Sequence, residues 1–402
     1  MVSSVFVAAL LASAAVASPL SERDGPVRST AFTKKINLGN LKGFVARDRA
    51  RAVHLATRHK QGTVQARQSI NVTNEAVSYL AAIGVGSPAT TYNLIIDTGS
   101  SNTWVGAETK YVKTSTSTST GKRVSVSYGS GSFSGTEYTD RVTISSSLVI
   151  PSQSIGVASS ATGFDGTDGI LGIGPVALTA GTVSGVSTVP TVTDNLYSQG
   201  TISRSQVSVS FQPTTQQEVT NGELTFGTTD ASKYTGSITY TSVTTTSPAS
   251  AYWGINQQVT YNSASILNSA GIVDTGTTLI YLATDAFKKY KSATGATADS
   301  ATGLLKVTSA QYSALKPLNF VIGGTTFALS ANAQIWPRSL NTYIGGTSSS
   351  IYLIVADLGS NSGEGLDFIN GQTFLERFYS VYDTTGKRVG LANTPYTNAT
   401  TN

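Results

Sequence analysis

Residues 93–107 read NLIIDTGSSNTWVGA, and residues 270–283 read AGIVDTGTTLIYLA. In both, two apolar β-branched residues lead into Asp-Thr-Gly, two hydroxyl residues follow, and an aromatic side chain comes a few positions later. Asp-Thr-Gly alone would suit an ordinary turn after a strand. Recurrence of the whole pattern argues for an internal repeat instead. The apolar run carries each Asp to a buried position, and the Gly permits a tight loop with close backbone approach. Ser100 or Thr277 then offers a hydroxyl to the outer carboxylate oxygen. Two such loops related by an approximate twofold would set Asp97 and Asp274 side by side. Carboxylates that close cannot both ionise, so they share one proton and present one acid and one base together.

The composition narrows the chemistry independently. The chain has 402 residues and no Cys, which removes cysteine nucleophiles, disulfides and Cys-ligated zinc. Its net charge of +5 invites a nucleic-acid reading until the charges are located. Residues 1–68 hold 11 Lys/Arg against 3 Asp/Glu, whereas residues 69–402 hold 16 against 19. The basic character therefore belongs to the N-terminal segment, and no nucleic-acid partner is expected. Both histidines, His54 and His59, lie in that segment too. Once it is removed, a Ser/His/Asp hydrolase, a His-ligated metal and a His general base disappear as options.

Residues 1–17, MVSSVFVAALLASAAVA, end in the small-x-small pattern of a secretory signal and fall short of the ~20 apolar residues of a membrane span. The chain is expected to be secreted and extracellular, with no membrane anchor. Asn71 and Asn398 then head possible glycosylation sequons. Residues 18–68, with ARDRARAVHLATRHK at their centre, read as a separate cationic helical segment. Beyond it, short apolar or alternating runs such as YNLIID, QVSVSF and IYLIVADLG, broken by Gly, Ser, Asn and Pro, predict an all-β body. Helices are expected only near residues 192–199, 283–292 and 309–315. The run TSTSTST at 114–120 reads as a solvated loop or strand edge. Residues 124–138, which include VSYGSGSFSG, alternate polar and apolar around Gly129 and Gly131, as in a hairpin whose tip can act as a lid.

On these residues the sequence resembles the pepsin-family aspartic proteases of the secreted fungal kind, over essentially the whole chain. Further points of likeness are Asp168-Gly169-Ile170-Leu171-Gly172, Asp194-Asn195-Leu196, Tyr234-Thr235-Gly236-Ser237 at the crossover between lobes, FLERFYSVYD at 374–383, and Val389-Gly390-Leu391-Ala392. The resemblance implies a bilobal all-β fold with a deep cleft, lobes at 69–236 and 237–402, no cofactor, and protein or peptide substrates. It also implies a monomer, sensitivity to pepstatin-type inhibitors, and a propeptide at 18–68 acting as an intramolecular inhibitor. Tyr128 matches the flap tyrosine and Trp104 the tryptophan that hydrogen-bonds it, with Gly129 and Ser130 beside them at the flap tip. Ile95, Phe133 and Ile170 are expected as apolar pocket walls, with Phe164 near them. Ser130 stands where some fungal relatives carry an Asp that attracts lysine.

The basic segment should lie across an acidic cleft near neutral pH, with Arg58, Lys60 or a neighbouring cation near the two Asp residues. Acid should release it, with cleavage around Ala66 to Asn71. The sequence departs from the family pattern at Ile369-Asn370-Gly371-Gln372, where an apolar residue usually stands at 370 and Asp is common at 372. Two other classes fit parts of the reading: a catalytically dead pepsin-like binding protein, and a glycosidase with paired carboxylates.

Overall fold

The computed structural model describes residues 27–59 and 77–402. The expected signal peptide, Lys60, the cleavage region at 66–71 and the Asn71 sequon lie outside them. Within the described residues the body is mostly strand, arranged as lobes of sheet. A 13-stranded sheet contains the first Asp loop, and a 7-stranded sheet contains the second.

The sequence repeat is matched by a repeat in topology. Strand Thr90–Asp97 runs parallel to Gly169–Gly172, which pairs antiparallel with Thr103–Val105. In the second half, Ala264–Val273 runs parallel to Phe368–Asn370, which pairs antiparallel with Ile280–Leu282. Each Asp is thus delivered from the end of a strand whose neighbour is a short, wholly buried one. Both short strands come up against a glycine for the same reason. A Cβ on Gly172 would stand 2.5 Å from the Ser101 carbonyl carbon, and one on Gly371 would stand 2.5 Å from Thr277 O, so any side chain would push out the loop after the Asp.

The three expected helices are present as Val192–Ser198, Thr284–Thr294 and Ser309–Ala314. The first and third begin at reciprocal capping boxes on Thr191 and Thr308. The Ser/Thr run is an edge strand from Thr118 onward. The turn before it is tied down, since Thr116 Oγ1 and Ser117 Oγ donate to the buried Asp140 at 2.6 and 2.8 Å. The crossover expected at 236/237 falls within strand Thr235–Ser242, which pairs with Arg388–Asn393.

The N-terminal segment corrects the sequence reading. It is not helical throughout: Arg28–Ile36 is a strand set between Glu218–Phe226 and Val77–Val85. Phe32, Lys34 and Ile36 alternate inward with period two, a short pattern that the surrounding cations obscure. Phe32 packs edge-on against Tyr79 and Phe211. Buried Lys34 donates to Glu376 Oε1 at 2.5 Å, and Tyr79 Oη donates to the same oxygen at 2.6 Å. A short 3-10 turn, Leu38–Asn40, and then an α-helix, Phe44–Thr57, follow.

Candidate active site

The two Asp-Thr-Gly loops meet through their middle residues. Thr98 N–H donates to Thr275 Oγ1 and Thr275 N–H donates to Thr98 Oγ1, each at 2.9 Å. Each hydroxyl then donates across to the opposite strand, Thr98 Oγ1 to Val273 O at 3.2 Å and Thr275 Oγ1 to Ile96 O at 2.9 Å. This reciprocal clamp locks the loops together, so the carboxylates that flank it have little freedom to separate. Sequence reasoning passed over Thr98 and Thr275. Their signal was the identical middle residue of both triads.

Each carboxylate is supported in the same way. Asp97 Oδ1 accepts from Gly99 N–H at 2.9 Å and Oδ2 from Ser100 Oγ at 2.6 Å. Asp274 Oδ1 accepts from Gly276 N–H at 3.1 Å and Oδ2 from Thr277 Oγ1 at 2.5 Å. Both side chains are withdrawn from solvent. Burial pushes the Asp97 carboxyl above its usual range; a guanidinium beside it pulls down, and the Asp274 carboxylate pushes up again.

That guanidinium is Arg51, from helix Phe44–Thr57. Its Nη2 donates to Asp97 Oδ1 at 2.6 Å and to Asp274 Oδ2 at 3.1 Å, and its Nε reaches Asp274 Oδ2 at 3.1 Å. The cation at the pair is therefore Arg51 and not Arg58, whose Nη2 donates instead to Leu178 O at 3.2 Å. Asp48, three residues before Arg51 on the same helix face, accepts from Thr278 N–H and Leu279 N–H at 2.7 and 2.9 Å. Burial raises its pKa to about 6, with those two backbone bonds pulling the other way. Tyr252 Oη donates to Leu55 O at 3.1 Å.

Comparison with known proteins agrees with this geometry. A model of the family described as eukaryotic aspartyl protease matches residues 78–394. The chain belongs to that family. It is 69% identical to polyporopepsin of Irpex lacteus over 338 residues, covering 83% of this chain and 99% of that one. It is 32% identical to human gastricsin, covering 80% of this chain and 84% of the relative. The crystal structure of aspartic proteinase from Irpex lacteus superposes with a TM-score of 0.79 at 69% identity, over 81% of this chain and 96% of that one. The protein is an aspartic endopeptidase of the pepsin family.

In this protease the segment expected as a flap is a hairpin, strands Thr118–Ser127 and Ser132–Ser145, closed by Tyr128 N–H donating to Gly131 O at 2.8 Å. Gly129 at its tip has φ +79°, a conformation that favours glycine, and rests on the Arg51 helix. A Cβ there would stand 2.5 Å from His54 Cβ and 2.7 Å from Ala50 O. The helix thus occupies the space between the hairpin tip and the two Asp carboxylates. Ser130 is buried with its hydroxyl unpartnered, beside a small pocket lined by Phe44, Arg47 and Arg51.

Trp104 Nε1 and Tyr128 Oη are both buried and lack a hydrogen bond of regular geometry, yet the indole N–H still acts on the phenol and pulls its pKa down. The indole stacks on Phe133 at 4.2 Å, and the phenol meets Phe164 edge-on at 5.5 Å. Burial pushes the Tyr128 phenol well up, as does the charge of Asp97. Ile95, Phe133, Ile170, Trp104, Tyr128 and Phe164 do come together, in an apolar cluster distinct from the main core.

The departures at 370 and 372 are accommodated by amide pairing. Asn370 Nδ2 donates to Gln257 Oε1 at 2.8 Å, and Gln257 Nε2 returns a bond of 3.3 Å to Asn370 Oδ1, all buried. Gln372 Nε2 donates to Thr275 O at 2.9 Å, behind the clamp. Among the described residues no cluster of His, Asp and Glu is arranged to hold a metal ion. Nor is any helix there long and apolar enough to cross a membrane.

The clamp makes a stability prediction. Thr275→Val keeps the side-chain shape but leaves Thr98 N–H and Ile96 O without their partner. Each buried orphan costs about 1–3 kcal/mol. Thermal unfolding should show Tm lowered by several degrees, and an unchanged Tm would mean the clamp is not rigid.

Proposed function

We propose that Asp97 and Asp274 form the catalytic dyad of an acid endopeptidase made as a precursor. The observation that carries this reading is that one nitrogen, Arg51 Nη2, lies within hydrogen-bond reach of both carboxylates, at 2.6 and 3.1 Å. That nitrogen marks a point within hydrogen-bond reach of both carboxylates, the place where a water would be held between them once Arg51 leaves. The ionised Asp takes a proton from a water held between them, and the oxygen attacks the peptide carbonyl carbon. The protonated Asp donates to the carbonyl oxygen, giving a tetrahedral diol. Return of a proton to the leaving nitrogen as the C–N bond breaks releases amine and acid. No metal or cofactor enters this scheme.

A glycosidase would need its two carboxyls roughly 5 Å or more apart across a sugar ring, which a bridge through a single nitrogen does not favour. A dead binding protein has no need of the mirrored hydroxyl and N–H support at each Asp. Asp97→Asn and Asp274→Asn should each leave the fold intact and reduce turnover of a denatured protein at pH 3–4 to a few per cent or less. Activity in the unmodified enzyme should be blocked by pepstatin and should decline toward neutral pH as the shared proton is lost. Substantial activity in either variant would refute the shared-proton scheme.

In the same reading residues 1–17 direct secretion and 18–68 are a propeptide. The mature chain is a monomer with lobes near 69–236 and 237–402, carrying glycans at Asn71 or Asn398. Support comes from Arg51 seated on the dyad and the helix beneath the flap, where a substrate would otherwise lie. The precursor should be inactive at pH 7 and lose the mass of the segment at pH 3, as dyad protonation removes the anion that Arg51 binds. Mass spectrometry across the shift decides it: a precursor active at pH 7, or intact at pH 3, rejects this reading.

Specificity is proposed from the uncharged Ser130 and the apolar cluster of Ile95, Phe133, Ile170 and Tyr128. These offer nothing to offset desolvation of an ammonium, which costs several kcal/mol when unpaired. Cleavage should fall beside Leu and Phe and avoid Lys. Sequencing the products of a mixed protein digest tests this, and frequent cuts after Lys would contradict it.

A further inference from the structure

We propose that His54 is the acid trigger that unseats helix Phe44–Thr57 from the cleft, because a proton added at its Nε2, which is shut off from solvent, finds no acceptor while the helix is docked. The proposal rests on the precursor reading above. His54 sits one turn along the helix from Arg51, against the flap tip, and its Nε2 is buried without a hydrogen-bond partner. The charged groups acting on it from its own segment are Arg58, Arg51 and His59, all cationic when charged. The flap opposite presents Gly129 and the backbone of Ser127, which supplies the one interaction favouring the charged ring. The carboxylates that could answer a positive charge are already committed: Asp97 and Asp274 to Arg51, and Asp48 to Thr278 N–H and Leu279 N–H.

The direction follows from linkage. Burial, then the charges of Arg58 and Arg51, hold the His54 pKa at about 4, below the 6.5 of a free histidine. A group held low when docked favours docking above pH 6.5 and loses that contribution as pH falls toward 4. At tenfold per unit, docking weakens roughly a hundredfold across that window. Asp48 works the other way. Its pKa is raised to about 6 from 3.8, so it favours docking more as pH falls through that range and cannot be the release group. Release by acid therefore requires His54 and the loss of the anion that Arg51 binds to outweigh Asp48.

The test measures the pH at which full-length precursor becomes half-active within minutes toward a fluorogenic peptide. The unmodified precursor should be silent at pH 7 and half-active between pH 4 and 6.5. His54→Asn and His54→Leu cannot take up the proton. They should lower that midpoint by about one unit and slow activation at pH 5 by roughly tenfold. His54→Lys, charged throughout, should raise it. Because residue 54 leaves with the segment, every variant should end with the same specific activity after processing, which also shows that it folded. If both neutral variants activate at the unmodified midpoint while the unmodified precursor is silent at pH 7, the trigger is wrong and the precursor reading stands. If the unmodified precursor is active at pH 7, both fall.

Discussion

Two carboxylates are pinned in a buried pocket by backbone that cannot let them drift apart. The Thr98–Thr275 clamp joins the loops directly, at 2.9 Å in each direction, and the strands behind it are paired on both sides. Ordinarily two like charges would relieve their repulsion by moving a few ångströms or by drawing in water. Here neither route is open, so the repulsion must be met by a shared proton or by an external cation. Both halves of the fold are arranged around that condition, which explains why the chain repeats a strand, a triad and a buried short strand in each.

The structure holds the cationic answer. Arg51 is almost completely buried, a position an isolated guanidinium would not tolerate, and it does so by sitting between two anions. The strand Arg28–Ile36 anchors the same segment in the central sheet, with Lys34 neutralised by Glu376. The segment is thus held at both ends by buried ion pairs with the body, and between them the helix is wedged under the flap. Such pairs are sensitive to pH in a way that apolar packing is not. The strand pairing of Arg28–Ile36 and the packing of Phe32, Phe44 and Leu55 in the core do not share that sensitivity.

Much of the site was legible in one dimension. The Asp positions, the hydroxyls of Ser100 and Thr277, the flap hairpin around Tyr128 and the three short helices all reflect rules that act within a few residues: strand periodicity, turn chemistry and capping. The strand at 28–36 was missed because its period-two pattern is short and laden with Lys and Arg, and only its neighbours from residues 77–85 and 218–226 make it a strand. The cation could be narrowed only to Arg58, Lys60 or a neighbour, because charge alone does not tell which turn of a helix faces a distant pair.

By itself the sequence determined the repeat, the residue types of the two Asp loops, the β-rich body and the segregation of basic charge in the N-terminal segment. Tertiary structure decided which cation meets the pair, that Trp104 stacks on Phe133, and that Asn370 finds its partner in Gln257. The division has a physical origin. Periodicity and loop chemistry are written in neighbouring residues, whereas the partner of a buried charge or amide is whichever group the folded backbone brings within about 3 Å, and that group here lies 46 to 223 residues away.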